Sequence, residues 1–161
     1  MITVKRLTLE DAKIILEAAE ARARAIGVLE TICVCDDGGH PLALHRMTGA
    51  RLTGVEIAMA KAFTAAGHRR PTHRFNEPPG GPALPGNEAF GIHAMHPGRF
   101  AIFVGGFPIE ADGQVVGGIG VSGGTGEQDV AVATAGIEAL LGSLGPGPAS
   151  TEQTSAPPQR T

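Results

Sequence analysis

Apolar residues recur at three- and four-residue steps at Ala12, Ile15, Ala19, Ala23 and Ile26. That spacing puts one apolar stripe on a helix. Thr8 precedes it with Asp11 three residues on, the spacing of a capping box. Gly27 falls where a helix end takes a left-handed residue. Residues 28–35 (VLETICVC) lose the helical period and turn β-branched and apolar, which predicts a strand. Asp36-Asp37-Gly38-Gly39 carries turn chemistry, and residues 41–46 (PLALHR) predict the return strand of a hairpin.

A second helix is expected from Thr53, with Glu56 at capping-box spacing. It carries Ile57, Ala60 and Thr64 on one side and Ala58, Ala62 and Ala65 on the other, with Gly67 as its stop. Residues 68–88 contain five prolines and three glycines, which excludes long regular structure. A loop of this length in a compact domain is usually functional or mobile. Residues 100–104 (FAIFV) and 114–121 (QVVGGIGV) predict two more strands, turning at Ala111-Asp112-Gly113. Gly117, Gly118 and Gly120 inside the second of them mark a place where something packs closely. Thr125 and Gln128 cap a last helix whose apolar side is Val130, Ala133, Ile137, Leu140, Leu141 and Leu144. The order α-β-β-α, long loop, β-β, α favours an α+β class with an antiparallel sheet and a helix on each face. Residues 1–144 are expected to be a single domain. Residues 145–161, rich in Pro, Ser and Thr, are expected to be a disordered tail.

Length and composition narrow the picture. The 161 residues suit one domain, and 42% apolar residues supply a core. A net charge of −3 and the lack of Trp and Tyr count against nucleic acid as a partner. No apolar run reaches the roughly 20 residues of a spanning helix, so no membrane role is expected. Residues 2–13 are polar and charged, unlike a secretory signal. Cys33 and Cys35 share one strand face and are too close in sequence for a good disulfide. A reduced, cytoplasmic protein is the expectation.

Five blocks occur in a fixed order: Val34-Cys35-Asp36-Asp37-Gly38-Gly39; Arg46-Met47-Thr48-Gly49-Ala50; Lys61-Ala62-Phe63-Thr64-Ala65; Gly105-Gly106-Phe107-Pro108-Ile109; and Gly117 to Gly124 followed by Asp129. In this order the chain resembles the GlcG/HbpS-type haem-binding family, related to the C-terminal domain of the PduO proteins, over about residues 3–144. The resemblance implies a profilin-like fold, a sheet of about five antiparallel strands between helical layers, in a homo-oligomer. It also implies a small-molecule ligand, with haem or a corrinoid as the associated group and catabolic gene clusters as a common setting. The family's usual Arg-Met-Asp-Gly-Ala reads Arg-Met-Thr-Gly-Ala here, so Thr48 replaces a carboxylate. The extracellular sensor members carry a secretion signal that this sequence does not show.

Histidine is the most informative residue type. His68, His73, His93 and His96 lie within one stretch, and an imidazole can ligate iron or exchange protons near neutral pH. Each alone could equally be a solvated loop residue. Arg69, Arg70 and Arg74 flank them and could grip carboxylates, or pair with Glu77 or Glu88. Arg46 is a further candidate for ligand binding, against a structural salt bridge to Asp37 or Asp129. Lys61 is either a ligand anchor or a buried partner of Asp36. Thr64 belongs to the ligand-binding candidates through its block, against a simple packing role. The Gly120–Thr125 run could hold an anion at a helix N-terminus, but capping explains it as well. Asp36 and Asp37 are explained by a turn, and no metal site is expected.

Two function readings follow. The first is a haem- or tetrapyrrole-binding accessory protein, its ligand held by the loop and the Gly-rich strands at a subunit boundary. The second is a small cofactor-free catabolic enzyme (an isomerase, hydrolase or lyase). In it His68 or His73 would act as acid or base, with an arginine clamping an organic-acid substrate.

Overall fold

The computed structural model describes residues 1–145. The tail expected over residues 145–161 lies, past Gly145, outside them. Helix α1 (Leu9–Ala25) opens on the expected reciprocal cap between Thr8 and Asp11. It closes at Ile26 with Gly27 at φ 73°. Strands β1 (Thr31–Asp36) and β2 (Pro41–Arg46) form the hairpin. Its turn is organised by Asp36, whose Oδ1 accepts from the N–H groups of Gly38 and His40, both at 2.9 Å. Helix α2 (Gly54–His68) follows. Then come two short 3-10 turns, Thr72–Phe75 and Ile92–Ala94, within a long connection. Strands β3 (Gly106–Ala111) and β4 (Gln114–Ser122) make the second hairpin, turning at Asp112 and Gly113 with φ of 49° and 73°. Helix α3 (Gly126–Ser143) carries the expected Thr125–Gln128 cap.

The strands pair antiparallel in the order β2-β1-β4-β3. Period-two alternation divides the sheet between two layers. Ile32, Val34, Ile109, Ile119 and Val121 face α1 and α3, where Ile15, Leu16, Val132 and Leu140 complete the larger core. Cys33 and Cys35 face α2 and meet Ala58, Ala62 and Ala66. The α+β class and the helices on both faces are as the sequence predicts. Four strands form among the described residues, rather than five.

Three local expectations are corrected. Residues 100–104 do not form a strand. Their backbone is engaged by side chains instead: Ala101 N–H donates to Thr64 Oγ1, and Phe103 O accepts from Thr72 Oγ1. The second hairpin therefore begins only at Gly106. Thr53 makes no side-chain cap, because it already has helical φ and ψ. Gly67 does not close α2 either; the helix runs one residue further and Arg69, at φ 53°, ends it.

The tightest packing is α2 on β4. A Cβ at Gly118 would collide with Ala62 O, and one at Gly120 with Ala58 O. The helix backbone lies close on the strand because the strand presents glycines and the helix presents alanines there. Gly136 does the same for α3 on α1, where a Cβ would sit 2.8 Å from Ile15 O. Gly120→Ala is expected to lower stability by about 1–3 kcal/mol, the usual cost of overpacking a tight interior. Gly67→Ala, in α2 with nothing within 4 Å of the new methyl, is expected to raise it by about 0.5–1 kcal/mol. Chemical denaturation of the two variants checks both signs.

Candidate functional site

After α2 the chain folds back over the outer side of that helix. Two threonines hold it there. Thr64 Oγ1 accepts from Ala101 N–H at 2.9 Å and lies 3.5 Å from Arg99 O. Thr72 Oγ1 accepts from Gly106 N–H at 3.0 Å and donates to Phe103 O at 2.5 Å. Between the β1–β2 turn, α2 and this connection lies a cleft of about 50 Å³. Its lining is Gly39, Pro41, Met59, Ala60, Phe63, Gly98 and Arg99.

Phe63 is the centre of the cleft. Gly39, at φ 77°, lies against its ring with no room for a side chain. The Arg99 guanidinium lies over the ring, 4.1 Å from its centroid. His96 meets it at 5.5 Å between centroids. A second aromatic group is formed by His68, Phe75 and Phe100, each pair edge-to-face at 5.0–5.2 Å. Arg70 lies 5.5 Å over Phe75. The His68 pKa is held below the ordinary imidazole value, chiefly by partial burial and then by the charges of Arg70 and His96. A neutral imidazole keeps a lone pair for a metal or a proton.

His68, His96 and Arg70 are thus brought to one side of the molecule. The other expected residues lie elsewhere. His73 is near Phe107, at 6.1 Å between ring centroids, and its Nδ1 is buried without a partner among the described residues. His93 is exposed in the second 3-10 turn. Arg74 pairs with Glu77 at 3.0 Å, one of the two pairings expected for the arginines. Arg46 is exposed at the end of β2, and its neighbour His45 turns to Glu20 of α1 at 2.7 Å. Neither expected partner of Arg46 is free for it: Asp37 pairs with Arg6, and Asp129 with Lys61.

Lys61 and Thr64 are buried, with polar atoms already bonded inside the fold. Neither lines the cleft. The partner of Lys61 is Asp129, not Asp36. Its Nζ donates to Asp129 Oδ2 at 2.7 Å and to Val121 O at 2.6 Å. Gly124 N–H lies 3.1 Å from both Asp129 Oδ1 and Glu30 Oε2. Glu30 is fully buried, and its Oε1 has no partner among the described residues. Burial, reinforced by the Asp129 charge, pushes the Glu30 carboxyl up to about 7.

Sequence reasoning missed Glu30, Arg99 and the phenylalanines. A signal for the last existed: all six Phe of the chain fall between positions 63 and 107. Glu30 gave a weaker one, as the only charged residue within an apolar strand run.

The fold is thus an antiparallel sheet between helical layers, with a cleft beside α2 where Phe63 meets His96 and Arg99. Residues 7–138 match the family described as haem degrading protein HbpS-like. The chain belongs to that family, as the ordered sequence blocks led one to expect. Protein GlcG of Escherichia coli K12 is 37% identical over 116 residues, spanning 72% of this chain and 81% of GlcG. The solved Klebsiella pneumoniae protein ORFY superposes with a TM-score of 0.82 at 32% identity, covering 88% of this chain and 94% of that one. A solved complex of PduOC with haem superposes with a TM-score of 0.77 at 31% identity, covering 83% of this chain and 94% of the other. No helix of the described residues is long and apolar enough to cross a membrane.

The buried ion pair yields a stability prediction. Lys61→Ala leaves Asp129 and Glu30 with no cation between them. The expected loss is about 3–5 kcal/mol, typical of a buried pair broken on one side. Urea denaturation near neutral pH measures it, with exposed Lys13→Ala as the near-neutral control.

Proposed function

We propose that this protein binds haem or a closely related tetrapyrrole on the surface formed by α2 and the 69–105 connection. The observation that carries the reading is the gathering of His68 and His96 with Arg70 and Arg99 around Phe63, Phe75 and Phe100. It is supported by the family and by the haem complex of a relative. The donor chemistry fits the group. A tetrapyrrole has apolar faces, an iron that takes an axial imidazole, and carboxylates at one edge. The half-buried rings of Phe63 and Phe100, with buried Phe75 behind them, suit the faces, His68 or His96 the iron, and the arginines the carboxylates. The bound group would supply the iron chemistry. This chain's residues would bind it, orient its carboxylates and shield it from water.

A cleft of about 50 Å³ is far smaller than the roughly 300–1,000 Å³ of sites that bury a drug-sized ligand. The reading therefore includes a homo-oligomer in which a second copy covers the exposed side of the ligand. It also includes a cytoplasmic setting, consistent with Cys33 and Cys35 being free, buried thiols pushed up to about 12 by burial.

Absorbance titration with haem is expected to give a saturable Soret shift. His68→Ala or His96→Ala should abolish or displace the band, and Arg99→Ala should weaken binding about tenfold, as for one lost charge-assisted contact of about 1.5 kcal/mol. Because the His68 pKa is lowered, ligation through it should persist below the ordinary imidazole value and be lost on further acidification. A weak, non-saturating shift unchanged in both histidine variants would reject the reading. It would bring forward the cofactor-free enzyme, with neutral His68 as base and Arg70 as clamp.

A further inference from the structure

The long connection rejoins the sheet at Gly105, directly over the buried charges. A Cβ on Gly105 would lie 2.5 Å from Lys61 Nζ and 2.9 Å from Asp129 Oδ2, and its φ is 113°. Gly105 O accepts from Val121 N–H at 2.8 Å, and Lys61 Nζ lies 4.9 Å from the centre of the Phe103 ring. The position of Lys61 thus fixes the last residues of the connection, which also carries Arg99. Lys61 is in turn fixed by Asp129. Asp129 shares the Gly124 N–H with Glu30.

We infer that Glu30, Asp129 and Lys61 form a proton-sensitive latch that holds the 99–106 segment, and with it the arginine rim of the cleft, against the sheet. The charged groups acting on Glu30 are Asp129 of α3 and Lys61 of α2. Its remaining contacts are the Gly124 N–H and, through its own N–H, the sulfur of Met47 at 3.4 Å. Protonated, Glu30 can sit beside the Asp129 carboxylate and leave that charge to Lys61. Ionised, it puts two carboxylates on one N–H and one ammonium, with an oxygen that has no partner. Lifting of the Gly123–Gly124 backbone, which lies against the carboxyl, would give water access to that oxygen. A Cβ on Gly124 would lie 2.7 Å from Glu30 Oε1, so these glycines are the lid over it.

The linkage has a definite sign. In the closed form Glu30 titrates at about 7; opened to water, it returns towards its ordinary value of 4.5. The closed form binds the extra proton between those values. Closure is favoured below the ordinary value and weakened as pH rises to about 7. Over that window the opening constant climbs up to tenfold per pH unit.

Hydrogen exchange of the whole chain, without ligand and corrected for intrinsic rates, tests this. The amides of Ala101, Gly106, Val121 and Gly124 report the latch; those of Cys33 and Val34 report the central strand. The opening constant at the latch is expected to exceed that of the strand, and to rise more than tenfold from pH 5 to pH 7. Glu30→Gln should abolish the rise while the latch still opens before the strand. Latch and strand sharing one opening constant, or a rise that persists in Glu30→Gln, would overturn the inference. Should that variant not fold, the carboxyl carbon of Glu30 in the native chain is followed by NMR. A midpoint near 7 supports the latch and one in the ordinary carboxylate range rejects it. No haem enters the experiment, so its failure leaves the ligand reading standing, and failure of that reading leaves the latch.

Discussion

The glycine-on-alanine contact between α2 and β4 sets the rest of the structure. Gly118 and Gly120 on the strand meet Ala58, Ala62 and Ala66 on the helix, and backbone rests on backbone. Close approach of this kind gains dispersion contacts that larger residues would hold apart. It also fixes the helix in rotation. With its alanine face committed to the sheet, α2 must turn Lys61 toward α3 and Thr64 toward the returning chain. Met59 and Phe63 are left outermost. The buried ion pair, the loop anchor and the cleft are three consequences of that one contact.

The same contact explains how a connection rich in glycine and proline keeps a defined path. Such a segment has few side chains to bury and no ladder to join. Its order comes from buried hydroxyls that replace strand partners: Thr64 for Ala101, and Thr72 for Phe103 and Gly106. Thr64 is carried by α2, already fixed on the sheet, and Thr72 by the first 3-10 turn of the connection itself. A hydroxyl suits the task because it donates and accepts through one atom.

Features governed by local rules were legible in the sequence. The caps at Thr8 and Thr125, the Asp36 turn and the Asp112-Gly113 turn all depend on residues within a few positions of one another; the close packing at Gly118 and Gly120 was signalled by the glycines themselves, while its partners, Ala62 and Ala58, lie far off in the chain. The fifth strand was not legible in the same way. Residues 100–104 have strand composition, and their fate turns on Thr64 and Thr72, about 30 residues or more away. The site behaved alike. Residue type identified His68, His96 and Arg70, but only the path of the connection separates them from His73, His93 and Arg74. Lys61 and Asp129 each belonged to a recognisable block. Their pairing across 68 residues follows from the rotation of α2, which no local pattern encodes.

A division of labour in the composition follows from this. The core facing α1 and α3 is aliphatic, and the layer under α2 is cysteine, alanine and glycine. With no Trp or Tyr in the chain and every Phe between positions 63 and 107, the large flat side chains are concentrated in and around the connection. Packing under α2 is met by small residues at close range, and Phe107 of β3 brings an aromatic ring to the larger core. The rings of Phe63, Phe75 and Phe100 are instead grouped where imidazoles and guanidinium groups meet them, Phe75 buried and the other two half-buried. The connection is nonetheless tied to the interior, at Thr64 through Ala101 and at Lys61 and Asp129 through Gly105.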